Sequence, residues 1–239
     1  MSTIAYRLTR VWTRITQAAY AAGRDPASIS LLAVSKTHAI AELEAALAAG
    51  QTAFGESYLQ EAVPKIEAIG NRAKWHFIGP IQSNKTRQIA AYFDWVLTVD
   101  RIKIAQRLNE QRPRELPPLN VCLQINTSGE AAKAGITPAD TRALAEAVSM
   151  LPHLRLRGLM TIPAREQDPA RQREPFHQLY SLFEQLNADG FSLDTLSMGM
   201  SNDMESAIAE GATLVRIGTA IFGPRRAKST DHQQSTDQI

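Results

Sequence analysis

The stretch from Ser30 to Gly55, SLLAVSKTHAIAELEAALAAGQTAFG, decides the fold. Ser30 to Lys36 is a short apolar run ending in a lysine and reads as a buried strand. Ile40, Leu43 and Leu47 follow at helical spacing, and Gly50 ends that helix. Thr52 to Gly55 is a second short strand. A strand, a helix and a strand in immediate succession form a crossover unit whose two strands run parallel.

The unit repeats outward from there. Leu59, Val63, Ile66 and Ile69 predict a helix stopped by Gly70. Strands are predicted over Lys74–Ile78 and Trp95–Val99, with helices over 82–93 and 101–111. After the proline-rich loop Arg112–Pro118, LNVCLQIN (119–126) is the clearest strand, and a helix follows over 138–150. Leu154–Leu159 is a strand, and Phe176, Leu179, Phe183 and Leu186 mark a long helix. A short strand over Leu193–Leu196, a helix over 202–210 closed by Gly211, and a strand over Thr213–Ile217 complete the pattern. In front of it all, Ile4, Leu8, Val11 and Ile15 form one face of a helix over 3–22, closed by Gly23 and Pro26.

Eight strands alternating with helices predict an α/β fold: a single (β/α)8 TIM barrel with an extra N-terminal helix, over residues 1–223. A doubly wound open sheet is the alternative, disfavoured because no GxGxxG turn follows the first strand. Residues 224–239 are polar and aperiodic and read as a disordered tail. Composition agrees with one large core: 239 residues, 44% of them hydrophobic. The 26 Lys and Arg against 24 Asp and Glu leave a formal charge of +2, no basis for a nucleic-acid binder built on bulk charge. One cysteine excludes a disulfide framework and a cysteine-rich metal site; Cys122 reads as buried and inert. No apolar run approaches the ~20 residues of a transmembrane helix, and no signal-peptide core opens the chain. A cytoplasmic protein is expected.

In such a barrel the chemistry sits where strands end. Leu32, Val34 and Lys36 alternate and share the face expected to line the interior. A desolvated lysine amine is the usual nucleophile for imine formation with an aldehyde. After the seventh strand comes Met198-Gly199-Met200-Ser201-Asn202-Asp203-Met204-Glu205, where Ser201 or Asn202 is expected to cap the next helix, with Glu205 at capping-box spacing from Asn202. After the eighth comes Arg216-Ile217-Gly218-Thr219. Those two loops commonly build a phosphate site, and Ser201, Gly218 and Thr219 supply its parts. A lysine facing a phosphate cradle suits an aldehyde that carries a phosphate. Pyridoxal 5′-phosphate (PLP) has both groups, and a class I aldolase acting on a sugar phosphate would use the same two features.

LLAVSKT, FGESYLQE, WHFIGPIQSNK, LRGLMTI and LSMGMSNDMESAIAEGATLVRIGTAIFG, in that order, resemble the YggS/PROSC family of PLP homeostasis proteins over about residues 5–224. The resemblance implies the fold-type-III barrel of the alanine racemase N-terminal domain. It implies that Lys36 carries PLP as a Schiff base, that Ser201, Gly218 and Thr219 hold the phosphate, and that Arg216 sits near the pyridine nitrogen. A guanidinium keeps its proton, so it disfavours protonation of that nitrogen and weakens the ring as an electron sink. The family usually reads FGEN where this chain has Phe54-Gly55-Glu56-Ser57. Its Asn is expected near the PLP phenolic oxygen, and Ser57 is shorter but can still donate a hydrogen bond.

His76, inside the WHFIG strand, is a further candidate to face the cofactor. His38 is expected at the surface, Asn84 and Lys85 in a solvated first turn, and Met160 and Met198 in packing roles. Arg225, Arg226 and Lys228 read as a solvated basic patch. Three functions compete. The resemblance favours a non-catalytic PLP binder that buffers the aldehyde, hands it to apo-enzymes and affects amino-acid metabolism indirectly, most simply as a monomer and without a metal. A PLP-dependent racemase ranks below it: the chain ends just after the eighth strand, without room for the C-terminal β-domain that supplies the second acid/base in that fold type. An aldolase would need an acid/base partner for Lys36 at another strand end, and no Asp or Glu persuasively occupies one.

Overall fold

The computed structural model describes residues 3–130 and 133–224. The expected tail beyond Pro224, with its basic patch, lies outside the described residues. The eight strands are β1 Ser30–Val34, β2 Ala53–Glu56, β3 Lys74–Phe77, β4 Trp95–Val99, β5 Leu119–Gln124, β6 Leu154–Met160, β7 Thr195–Ser197 and β8 Leu214–Ile217. The helices are α1 Ile4–Ala21, α2 Ile40–Ala48, α3 Leu59–Ile69, α4 Thr86–Tyr92, α5 Ile102–Gln111, α6 Thr141–Ser149, α7 Pro169–Ala188, α8 Met204–Ala209 and α9 Thr219–Phe222. The strands pair in chain order, all parallel, and β8 closes on β1 through Ser30↔Leu214 to Ala33↔Ile217. The predicted closed barrel is therefore the observed fold.

Side chains alternate across each strand, so the sheet has two apolar faces. Outward residues such as Phe54, Val96, Leu123, Leu159 and Ile217 pack against the helices in one large core. Inward residues form a smaller cluster of Leu32, Leu97, Cys122, Met160 and Leu214. Below it, at the strands' N-terminal ends, Trp95 lies between His76 (ring centroids 5.4 Å apart, planes 13° from parallel) and the Arg157 guanidinium, 4.6 Å from the Trp95 ring. Arg157 also donates to Asp194 and Asn120, so the barrel floor is closed by a bonded polar layer.

The helix ahead of the barrel packs onto its last elements. Leu8, Val11, Ile15 and Ala19 are its buried stripe, as the sequence spacing predicts for all but Ala19. Arg7 Nη1 donates to Ile221 O in α9, and Arg24 Nη1 donates to Ile208 O in α8. A cation at a helix C-terminus satisfies an orphan carbonyl and suits the helix dipole.

Candidate functional site

The strands' C-terminal ends surround a cavity of about 1100 Å³. Lys36, Ser201, Arg216, Gly218 and Thr219 all line it, with Val34, Ile78 and Met160 as its apolar wall. Five residues separated along the chain thus face one space because three strands end there.

Lys36 is not the last strand residue. β1 stops at Val34, and Lys36 lies in the turn beyond it. Ser35 N still donates to Gly55 O, so the ladder continues one residue past the strand. Thr37 then takes φ 69°, a left-handed conformation that a β-branched residue pays ~1–3 kcal/mol to hold. His38 is buried rather than at the surface. It stacks on Phe222 with centroids 4.8 Å apart, and its Nδ1 lies 3.2 Å from Glu42 Oε1. The Lys36 turn is thereby joined to α9, whose first residue, Thr219, lines the cavity.

The loop after β7 turns at Gly199, φ 92°, where an added Cβ would sit 2.6 Å from Ala207 Cβ. Only glycine lets that loop fold back over α8. Neither Ser201 nor Asn202 caps the helix. α8 begins at Met204, Asp203 is its N-cap residue, and the Asp203 carboxylate turns back to accept from Met200 N. Glu205 is drawn away to Arg14 of α1, which donates to it through Nε (2.9 Å) and to Ser201 O through Nη2 (3.1 Å). Of the side chains that the sequence assigned to a cap, Glu205 is instead spent on Arg14, which also holds the Ser201 carbonyl.

Arg216 points inward from β8 and is buried, donating to Ser197 Oγ and Thr161 O, both at 2.8 Å. Burial pushes its pKa down to about 10, with Asp203 the main opposing influence, so it stays cationic at neutral pH. Asp203 also lines the cavity; burial holds its carboxyl above the usual range, against the Met200 N–H and Arg216. Asp203 and the residues of the β6–α7 loop, Arg165, Glu166 and Gln167, were missed from the sequence. That loop carries no apolar periodicity to mark it, and Gln172 ties it down by donating to Glu166 O and accepting from Ser206 Oγ.

Two sequence candidates lie off the cavity. His76 faces the barrel interior, one inward position below Ile78, which lies just past the end of β3, about 6.6 Å lower at ~3.3 Å per residue. Burial pushes its pKa down to about 4, only partly offset by backbone groups of Lys74 and Phe54, and Nδ1 has no hydrogen-bond partner. It is a neutral packing histidine. Ser57 is buried just past β2 and does not line the cavity. Gly79 presses on its backbone so closely that a Cβ there would lie 2.3 Å from Ser57 O. Cys122 is buried inside the barrel, and burial pushes its thiol up. Asn84 and Lys85 lie in a 3-10 turn away from the cavity. Among the described residues, no cluster of three His, Cys, Asp or Glu is placed to hold a metal, and no helix is long and apolar enough to cross a membrane.

The donor set fits a phosphate-bearing aldehyde. Arg14, Lys36, Arg165 and Arg216 outnumber Glu166 and Asp203 on the cavity wall, and the hydroxyls of Ser201 and Thr219 stand on the two loops that bind phosphate in such barrels. Comparison with known proteins bears on the same point. A family model described as "Alanine racemase, N-terminal domain" matches residues 13–226. A curated relative, the pyridoxal phosphate homeostasis protein of Pseudomonas aeruginosa, is 61% identical, covering 94% of this chain and 97% of its own. The chain belongs to the pyridoxal phosphate homeostasis protein family. Among solved structures, PipY, the COG0325 family member of Synechococcus elongatus PCC7942, solved with PLP bound, is 36% identical with a TM-score of 0.80, covering 92% of this chain and all of its own. Alanine racemase from Corynebacterium glutamicum, 18% identical with a TM-score of 0.69, shares the fold; the match covers 96% of this chain and 63% of the racemase. The family resemblance expected from the five motifs is borne out.

Proposed function

We propose that this protein binds PLP, holds it covalently through Lys36, and serves intracellular PLP homeostasis in the cytoplasm. The observation that carries this reading is the opening of Lys36, Ser201, Gly218 and Thr219 into one cavity with Arg216 in its wall. The names of the curated relatives and the PLP-bound PipY support it. Bound PLP supplies an aldehyde that condenses reversibly with a lysine amine.

The chain's own residues have separable tasks. Lys36 offers the amine. Ser201, Thr219 and the first N–H groups of α9, which lack intrahelical partners, would hold the phosphate. Arg216, held by Ser197 and Thr161, would face the pyridine nitrogen and would keep its own proton. That choice of partner favours holding the cofactor over stabilising carbanions, and a reversible hold keeps a reactive aldehyde out of solution. A monomer that passes PLP to apo-enzymes is the simplest form of this activity.

Adding PLP, reducing with borohydride and mapping peptides should place the pyridoxyl adduct on Lys36. No adduct, or one confined to other lysines, would falsify the assignment.

A further inference from the structure

We infer that Glu61 and Lys65 of α3, with Glu56 at the end of β2, are positioning residues that set the direction of Lys36 by clamping the backbone on either side of it. The inference rests on the reading of Lys36 as the PLP-holding residue.

The buried stripe of α3 is Leu59, Ala62, Lys65 and Ile69. A lysine in an apolar stripe is costly, because its charge must leave water. Lys65 is only 5% exposed, and its ammonium is spent on two contacts: Ser35 O at 2.9 Å and Glu56 Oε1 at 2.8 Å. Ser35 Oγ donates to the same Glu56 oxygen at 2.6 Å. The residue before Lys36 is thus fixed through both its carbonyl and its hydroxyl. On the other side, Thr37 N donates to Glu61 Oε2 at 2.9 Å.

Thr37 is the one described non-glycine residue with positive φ. Its hydroxyl is buried without a hydrogen-bond partner, so its side chain contributes nothing polar that would hold that conformation. The charge-assisted bond that its N–H donates to Glu61 does. A buried ion pair is weak evidence of stabilisation, since apolar residues of the same volume often serve as well. Here the pair is aimed at the backbone of the turn that carries the candidate nucleophile. The other oxygen of Glu56 has no partner, and burial holds its carboxyl above the usual range despite Lys65. The cluster is tuned to geometry at the expense of full satisfaction.

Glu61 is half-buried, so Glu61→Ala tests the clamp with little risk to folding. Glu61→Gln keeps an acceptor, and Glu67→Ala, on the exposed side of the same helix, is the control. The paired substitution Lys65→Met with Glu56→Gln removes both buried charges together and forms the second arm. Two readouts apply: amide hydrogen exchange at Thr37 in the cofactor-free protein, and the yield of borohydride-trapped PLP on Lys36. The expected result for Glu61→Ala is an unchanged melting temperature, Thr37 exchange faster by roughly tenfold, the factor ~1.4 kcal/mol corresponds to, and several-fold less adduct on Lys36. Glu61→Gln should restore both. Unchanged exchange and trapping in Glu61→Ala and in the paired variant, or no rescue by Glu61→Gln, overturns the inference. Absence of any Lys36 adduct in the unsubstituted protein defeats the functional reading instead, and the exchange measurement still decides whether the clamp exists.

Discussion

At the residue scale, His76 shows how an inward-facing polar side chain can be structural. Its strand, WHFIG, places it on the interior face, and that much was legible in the sequence. Its layer was not, because alternation gives the face of a strand but not the height of the floor of the cavity. The floor depends on which neighbours are large, here Trp95, Leu97 and Met160. The pKa of about 4 makes a testable statement. The folded value lies below the unfolded ~6.5, so between those limits the unfolded chain binds more protons. The stability His76 contributes is therefore complete above pH ~6.5 and is lost as pH falls toward 4, by ~3 kcal/mol. Urea denaturation across that window should show the loss, and His76→Gln should flatten the slope. An identical slope in the variant refutes a buried neutral histidine. Lys36 itself was visible as a charge ending an apolar run. The left-handed Thr37 that follows was invisible, since its φ is imposed by Glu61 from another element.

At the element scale, the eight strand–helix units were legible because most join a short, largely apolar strand to a helix with a 3.6-residue stripe. What failed was the start of α8. Asn202 and Glu205 have capping-box spacing, yet Arg14, 191 residues away, takes Glu205, and local pattern has no access to such a partner. Arg14 therefore tunes a loop rather than a core. Its pairing with Glu205 is largely exposed, so Arg14→Met should cost under ~1 kcal/mol in unfolding free energy. The freed Ser201 loop should nonetheless weaken PLP binding roughly three- to tenfold, ~0.7–1.4 kcal/mol. Equilibrium titration beside urea denaturation separates the two effects, and equal affinity in the variant would dismiss a role for α1 at the site.

At the scale of the whole molecule, α1 is the part the eightfold pattern does not require. It nevertheless buries Leu8, Val11 and Ile15 against the last elements of the barrel. At ~1.5–3 kcal/mol for each large apolar side chain, this is ~5–9 kcal/mol, comparable with the ~5–15 kcal/mol that separates a folded domain from its unfolded chain. A chain starting at residue 23 should lose its cooperative thermal transition, followed by circular dichroism. A fragment that melts cooperatively within a few degrees of the full chain would show that α1 is dispensable.

The pairing of β8 with β1 also has a consequence in time. Lys36 leaves the ribosome early, whereas Thr219 follows about 180 residues later, some 10–40 s at ~5–20 residues per second. Until the last strand arrives, the lysine has no cradle opposite it. On the proposed function, a growing chain is thus unable to sequester PLP, and capture must await the finished ring.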